Sequence, residues 1–218
     1  EIRASEIKSL LSSKKTEVLL FLPTQFMYRF DERGTPQSLI ELLDDLVQYS
    51  SWKSTDSVFK FIDQFKNGFK QNLGQEFFVD TFTIQKDKNT VFCLFFFSSH
   101  IRGFEKMLEA KWEMDTSQGK GWKYERSGDL FASHKTNPLE EDLLNLLVNK
   151  SLNNKEIYSF TLHKGFLPKH VVEILGQLQV DNRITVTYLN GDKARKSSFY
   201  ISYKYFKEPE YKVNIKLN

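Results

Sequence analysis

Residues 91–115 read VFCLFFFSSHIRGFEKMLEAKWEMD, and the pattern of apolar and polar positions changes at the Ser-Ser-His. Seven apolar residues in a row predict a strand buried in a sheet. Beyond the polar knot, Phe104, Met107, Leu108 and Trp112 fall at i, i+3, i+4 and i+8, one side of a helix that starts near Ile101. Glu105, Lys106, Glu109, Lys111 and Glu113 take its outer side. Gly103, with no side chain, lets such a helix lie close to the sheet.

The residues before this stretch extend the α/β pattern. Residues 1–13 read as a helix with Ile2, Ile7, Leu10 and Leu11 on one side. TEVLLFLP (16–23) is apolar without alternation, as expected of a parallel strand covered on both faces, so helix and strand form half of a βαβ unit. In GTPQSLIELLDDLV, Thr35 is placed to cap a helix, Pro36 suits its first position, and Leu39, Leu42, Leu43 and Leu46 form the buried stripe. A further helix is predicted over residues 56–73, with Val58, Phe59, Ile62, Phe65 and Phe69 inward. Residues 76–85 and 89–98, on either side of KDKN, predict an antiparallel hairpin.

After Asp115 the texture turns polar and Gly-bearing, and a domain boundary is expected between 116 and 137. NPLEEDLLNLLVNKS opens a helix with Asn137 as cap, Pro138 at the first position and Glu140 closing a capping box. NKEIYSFTLHKG predicts a second helix, and LPKHVVEILGQLQVDN a third with Leu167, Val171, Ile174, Leu175 and Leu178 inward. RITVTYLN and SFYISY read as strands joined by GDKARKS. Three helices and a basic-tipped hairpin are the parts of a winged helix, a relative of the helix-turn-helix. The expected layout is therefore an α/β domain over 1–120, a linker over 121–136, and an α+β winged-helix domain over 137–218.

Composition narrows the function. The longest apolar run, at residues 91–97, is far short of the roughly 18 residues that cross a bilayer. The single Cys93 excludes an internal disulfide and a cysteine metal cluster, which suits a reducing, cytoplasmic setting. The chain opens at Glu1 with no Met, so a piece of a longer protein is expected. The formal charge of +3 is unevenly placed: residues 1–138 carry 19 basic and 19 acidic side chains, residues 139–218 carry 12 and 9. That excess fits a solvated surface or an anionic partner. His100, at a strand end, is either a site residue or a helix cap. His100, His134, His163 and His170 are scattered, and no Ser/His/Asp spacing, metal-ligand spacing or phosphate-cradling Gly loop can be read.

Residues 94–112 resemble the three-Cys-motif partner family (TcmP) of bacterial proteins. The shared pattern is an apolar strand, a Ser/Thr with a following His, a Gly, and a helix bearing Met and Trp, matched by Ser99, His100, Gly103, Met107 and Trp112. TEVLLFLPTQFMYRF is similar to the family's strand-plus-RF segment, with Arg29 and Phe30 in the matching places. The resemblance implies that the first domain is the C-terminal part of a Rossmann, methyltransferase-like sheet ending in its characteristic antiparallel hairpin. It implies also a separately encoded, radical-SAM-like partner with three cysteines. The family's Asp-Pro-Phe-Gly-type strand end does not occur here, so no cofactor is expected on this chain. The resemblance supplies no role for Arg29, Ser99, His100, Gly103, Met107 or Trp112.

Three functions are then weighed. In the first, the winged helix docks on nucleic acid: Lys169 and His170 at the start of its third helix face a groove, and Lys193, Arg195 and Lys196 in the wing meet phosphates. Glu173, Asp181 and Asp192 count against it. In the second, the chain is part of an S-adenosylmethionine-dependent methyltransferase, to which it supplies scaffold rather than catalytic groups. In the third, it is an interaction subunit for the three-cysteine partner, with Trp52, Trp122 and the WKYE loop (122–125) as contacts.

Overall fold

In the computed structural model, the apolar run near Val91 is one of the two inner strands of a four-stranded sheet. The structure describes residues 3–31, 36–47, 55–87, 89–122 and 138–218. Thr35, Trp52, His134, Asn137 and residues 123–125 of the WKYE loop lie outside these. The chain divides into two compact units, Glu1–Glu125 and Arg126–Asn218.

The first unit runs α1 (Ala4–Ser12), β1 (Glu17–Leu22), α2 (Thr24–Asp31), α3 (Gln37–Val47), α4 (Val58–Leu73), β2 (Phe78–Asp87), β3 (Thr90–Ser98), α5 (Ile101–Met114) and β4 (Gly121–Trp122). The sheet order is β1-β3-β2-β4. β3 is antiparallel to both β1 and β2, while β4 adds to β2 in parallel. Because side chains alternate across a strand, the register puts Val18, Phe97 and Val79 in one row, and Leu20, Phe95 and Thr81 in the next. Val79, Cys93, Phe95 and Phe97 on this face meet Ile7 and Leu11 of α1, Leu43 of α3 and Phe61, Phe65 and Phe69 of α4 in one core. On the opposite face Phe104 of α5 stacks on Phe78 at 4.9 Å and on Phe96 at 6.1 Å.

Several expectations are corrected here. β1 is not a parallel strand covered on both sides: Leu19 is 60% and Phe21 52% exposed. α5 lies over β2 and β3 and leaves that part of the face open, with Phe21 stacked on Phe92 at 5.1 Å. Leu10 is also exposed, since the short α1 buries Ala4, Ile7 and Leu11. Glu105 and Lys111, read as outward, are buried; Arg102 neutralises Glu105, and Lys111 reaches Asp80 of β2. α2 was not anticipated at all. It starts immediately after the strand because the Pro23 carbonyl accepts from the Phe26 and Met27 N–H groups. β4 belongs to the first sheet, so residues 121 and 122 are not linker.

The second unit runs α6 (Pro138–Asn149), β5 (Leu152–Asn153), α7 (Asn154–His163), α8 (Pro168–Val180), β6 (Ile184–Tyr188), α9 (Tyr203–Phe206) and β7 (Val213–Leu217). β7 lies between β5 and β6 and is antiparallel to both. SFYISY is not the second wing strand; that strand is β7. The alternation of Phe199 and Ile201 does report burial, at 2% and 6%. However, Ser197 and Tyr200 have φ of 62° and 54°, the left-handed region that breaks an extended strand. The loop between β6 and β7 therefore covers residues 189–212 and carries α9.

Candidate nucleic-acid interface

α7 and α8 form a helix-turn-helix whose ends are fixed by local hydrogen bonds. The Asn153 Oδ1 accepts from the Lys155 and Glu156 N–H groups at 2.9 and 3.0 Å, and the Glu156 carboxylate accepts from the Asn153 N–H at 2.8 Å. The chain reverses at Gly165, whose φ of 80° suits a residue without Cβ. Pro168 opens α8, and the His170 Nδ1 accepts from the Leu167 N–H at 3.1 Å. The His170 ring also meets Phe166 edge-on at 5.9 Å. Desolvation, and secondarily Lys169, hold its pKa below the usual imidazole range. His170 therefore acts as a cap of α8 and does not stand beside Lys169 in an outward row. The exposed stripe of α8 consists of Lys169, Glu173, Gln177 and Val180, one cation and one anion.

The wing is built differently. The Gly191 N–H donates to the Tyr188 carbonyl at 3.0 Å, the Tyr188 N–H to the Asp192 carbonyl at 2.8 Å, and the Ala194 N–H to the Val186 carbonyl at 2.8 Å. This tight turn presents Lys193, Arg195 and Lys196, all exposed. The Gln179 Oε1 accepts from the Ser197 N–H at 2.9 Å and so ties the tip to α8. Elsewhere in the unit, four cations are matched by carboxylates: Lys164 by Asp142 at 2.7 Å, Lys212 by Glu208 at 2.6 Å, Lys150 by Glu156 at 3.6 Å and Arg183 by Glu140 at 3.8 Å, while Lys155 donates to the Glu208 and Pro209 carbonyls. Among the described residues, Lys169, Lys193, Arg195 and Lys196 form no such pair. The neighbouring acids are engaged by amides, Asp192 with Asn190 at 2.7 Å and Asp181 with Gln177 at 2.9 Å.

Sequence reasoning did not single out the tyrosines of this loop. The Tyr188 and Tyr200 ring centroids are 6.4 Å apart, and Tyr205 meets Tyr200 edge-on at 5.0 Å. A hydrogen bond between their hydroxyls holds Tyr188 below and Tyr200 above the ordinary phenol range. The Arg195 N–H points to the Tyr188 hydroxyl at 3.5 Å, and the Lys204 Nζ lies 5.3 Å from the Tyr205 ring centre. The signal available was the interleaving of Tyr and Lys between 188 and 212.

In the first unit the residues of the family resemblance fall into two groups. The Arg29 Nη2 donates to the Asn89 carbonyl at 3.1 Å, beside the start of β3. Ser99, His100 and Gly103 follow the far end of β3, nine residues and so about 30 Å away. The His100 Nδ1 accepts from the Arg102 N–H at 3.2 Å and caps α5. Of the two readings held for His100, the geometry displays the cap. Met107 is half-buried on α5 and Trp112 is buried. Trp122 is 46% exposed. Among the described residues no group of three or more His, Cys, Asp or Glu is arranged to hold a metal ion. No helix is long and apolar enough to cross a membrane, again among the described residues.

Compared with known families, residues 123–191 match the family described as the GMT-like wHTH domain. Neither the curated proteins nor the solved structures give a match to the chain. The matched segment includes α6, α7, α8, β6 and the first turn of the wing, and the second unit carries a winged-helix domain.

Proposed function

We propose that this chain joins the closing part of a methyltransferase-like sheet to a winged helix that docks it on nucleic acid, and that it is non-catalytic by itself and takes no cofactor. The observation that carries the docking role is the set of three exposed wing cations, Lys193, Arg195 and Lys196, gathered within four residues on one turn and left without carboxylate partners, whereas Lys150, Lys164, Arg183 and Lys212 of the same unit are paired. Lys169 adds a contact on α8. Unpaired surface cations give phosphate binding through counterion release. The sheet reading is supported by the order β1-β3-β2, in which one strand lies antiparallel between two others, as in the terminal hairpin of that fold.

The test is fluorescence anisotropy of labelled oligonucleotides at several salt concentrations, with the parent and the triple variant K193A/R195A/K196A. Each duplex phosphate neutralised contributes about 0.9 to the slope of log K against log salt, so the slope should flatten by up to about three units. Equal affinities and slopes would remove the wing from the interface.

A second reading keeps the chain as an interaction subunit of a three-cysteine, radical-SAM-like partner. What favours it is the exposed apolar set Leu19, Phe21 and Phe26 on the first unit. Co-purification of the two chains, lost in a Phe21→Lys variant, is its test.

A further inference from the structure

The wing combines cations with a tyrosine cluster, while the helix beside it offers little to a groove. On α8 the exposed stripe of Lys169, Glu173, Gln177 and Val180 has no net charge, and His170 is occupied in the cap. A helix reading bases in the major groove passes between two rows of phosphates, where Glu173 is repelled. By contrast, Tyr188, Tyr200 and Tyr205 are half-exposed rings in mutual contact at 6.4 and 5.0 Å, immediately beside Arg195. α9 is held in place because the Phe206 ring packs on the buried Tyr158 at 5.0 Å, so the adjacent Tyr205 is set on a fixed element. Rings fixed next to unpaired cations are the parts of a stacking platform, in which cations follow the backbone and bases lie on aromatic faces. In a duplex the base faces are covered by their neighbours and a ring has nothing to stack on.

We infer that the wing takes single-stranded nucleic acid, with Lys193, Arg195 and Lys196 on its phosphates and at least one base stacked on the Tyr188–Tyr200–Tyr205 cluster. This rests on the nucleic-acid reading of the same loop. It commits that reading to an unpaired strand, RNA or DNA, over a duplex.

The experiment uses the whole chain and three probes of one length: a labelled single strand, its duplex, and the same strand with abasic residues at its centre. The single strand should bind more tightly than the duplex at equal salt. The abasic strand, which keeps every phosphate, should bind about five- to 150-fold more weakly than the intact one, the range expected for one stacked base. Tyr205→Ala should give a similar loss and Tyr205→Phe little change, with a thermal melt checking that both variants fold. The abasic comparison needs no variant, so it holds if Tyr205→Ala fails to fold. RNA and DNA strands compared side by side identify the sugar preferred. If duplex binds as well as single strand and the abasic strand matches the intact one, stacking is overturned while the docking role of the wing stands. If no probe binds at low salt, the nucleic-acid reading itself falls, and this inference falls with it.

Discussion

The buried side chain of Asn154 holds the wing by the backbone of Tyr200: its Nδ2 donates to the Tyr200 carbonyl at 3.0 Å. The Oδ1 accepts from the Lys212 N–H at 2.8 Å and the Val213 N–H at 3.4 Å. One amide at the start of α7 thus joins both ends of the segment that bears Tyr205. Asn154→Leu keeps the volume but removes the partner of the buried Val213 N–H and of the half-buried Tyr200 carbonyl and Lys212 N–H, at up to about 1–3 kcal/mol each. The expected outcome is a lower denaturation midpoint and faster hydrogen exchange over residues 200–213 than over α8. Uniform exchange across the unit would show that Asn154 does not tether the wing.

Asp80 and Lys111 are a buried pair between β2 and α5. Burial pushes the Asp80 carboxyl up, but Lys111 and Lys66 together more than offset this and hold it below its usual range. Asp80→Asn leaves the Lys111 ammonium buried without its counter-charge and should destabilise the first unit by about 3–5 kcal/mol. The double variant D80L/K111M, which removes both charges, should recover most of the loss. Urea denaturation of the two proteins distinguishes them; equal losses would mean that packing, not charge, sets the cost.

How much of this was legible follows from what each pattern encodes. The β2–β3 hairpin, the inward faces of α4 and α5, and the parts of the winged helix were readable, because period-2 and period-3.6 apolar spacing reports burial directly. The same logic misplaced Glu105 and Lys111, since a charge looks solvent-facing unless its partner, here Arg102 or Asp80, is known. It also overcovered β1: an apolar run does not say how far the helix on its far face reaches, and Leu19 and Phe21 lie beyond α5. SFYISY misled because burial of Phe199 and Ile201 alternates while the backbone at Tyr200 does not stay extended. In the candidate site, charge showed Lys193, Arg195 and Lys196. The capping of His170 and the tyrosine contacts depend on local geometry that no spacing expresses.

Gly103 should tolerate alanine far better than Gly121. A Cβ on Gly103 would meet the Glu17 Oε1 at 1.7 Å, but that atom ends a flexible side chain that can swing aside. The loss is the Ser98–Glu17 hydrogen bond at 3.3 Å, offset by the better helix propensity of Ala, so Gly103→Ala should change stability by less than about 1 kcal/mol. A Cβ on Gly121 would lie 2.2 Å from the Thr83 carbonyl oxygen, a backbone atom fixed in the sheet. Gly121→Ala should cost about 1–3 kcal/mol by forcing β4 off β2. Thermal melts of both variants check the order; a reversed order would refute it.

Trp112→Ala is expected to destabilise the first unit by about 3–5 kcal/mol, as for other buried aromatics. The turn after α5 depends on the same ring, because a Cβ on Gly119 would lie 2.5 Å from the Trp112 Cε2. Calorimetric melting is the measurement, and a transition unchanged from the parent would contradict the buried placement.

Acid should loosen the turn that seats β4. The Asp115 Oδ1 accepts from the Ser117 and Gln118 N–H groups at 3.2 and 3.1 Å, and the Oδ2 from the Lys120 and Gly121 N–H groups at 2.8 and 3.2 Å. The Ser117 hydroxyl donates as well, at 2.9 Å. Desolvation pushes this carboxyl up, but the donors at Lys120, Gln118, Ser117 and Gly121 outweigh it and bring its pKa down to about 2. In the unfolded chain the value is about 3.9. The folded state therefore binds this proton less readily, and the stabilisation is complete above about pH 4 and lost as pH falls through about 2. Asp115→Asn keeps the shape but replaces one acceptor oxygen with a donor. It should be less stable than the parent at about pH 6, with the gap narrowing as pH falls. Because other carboxylates titrate equally in both proteins, the difference in urea midpoint between parent and variant isolates Asp115. A gap that stays constant from about pH 6 to about pH 2 would show that this carboxylate does not hold the turn.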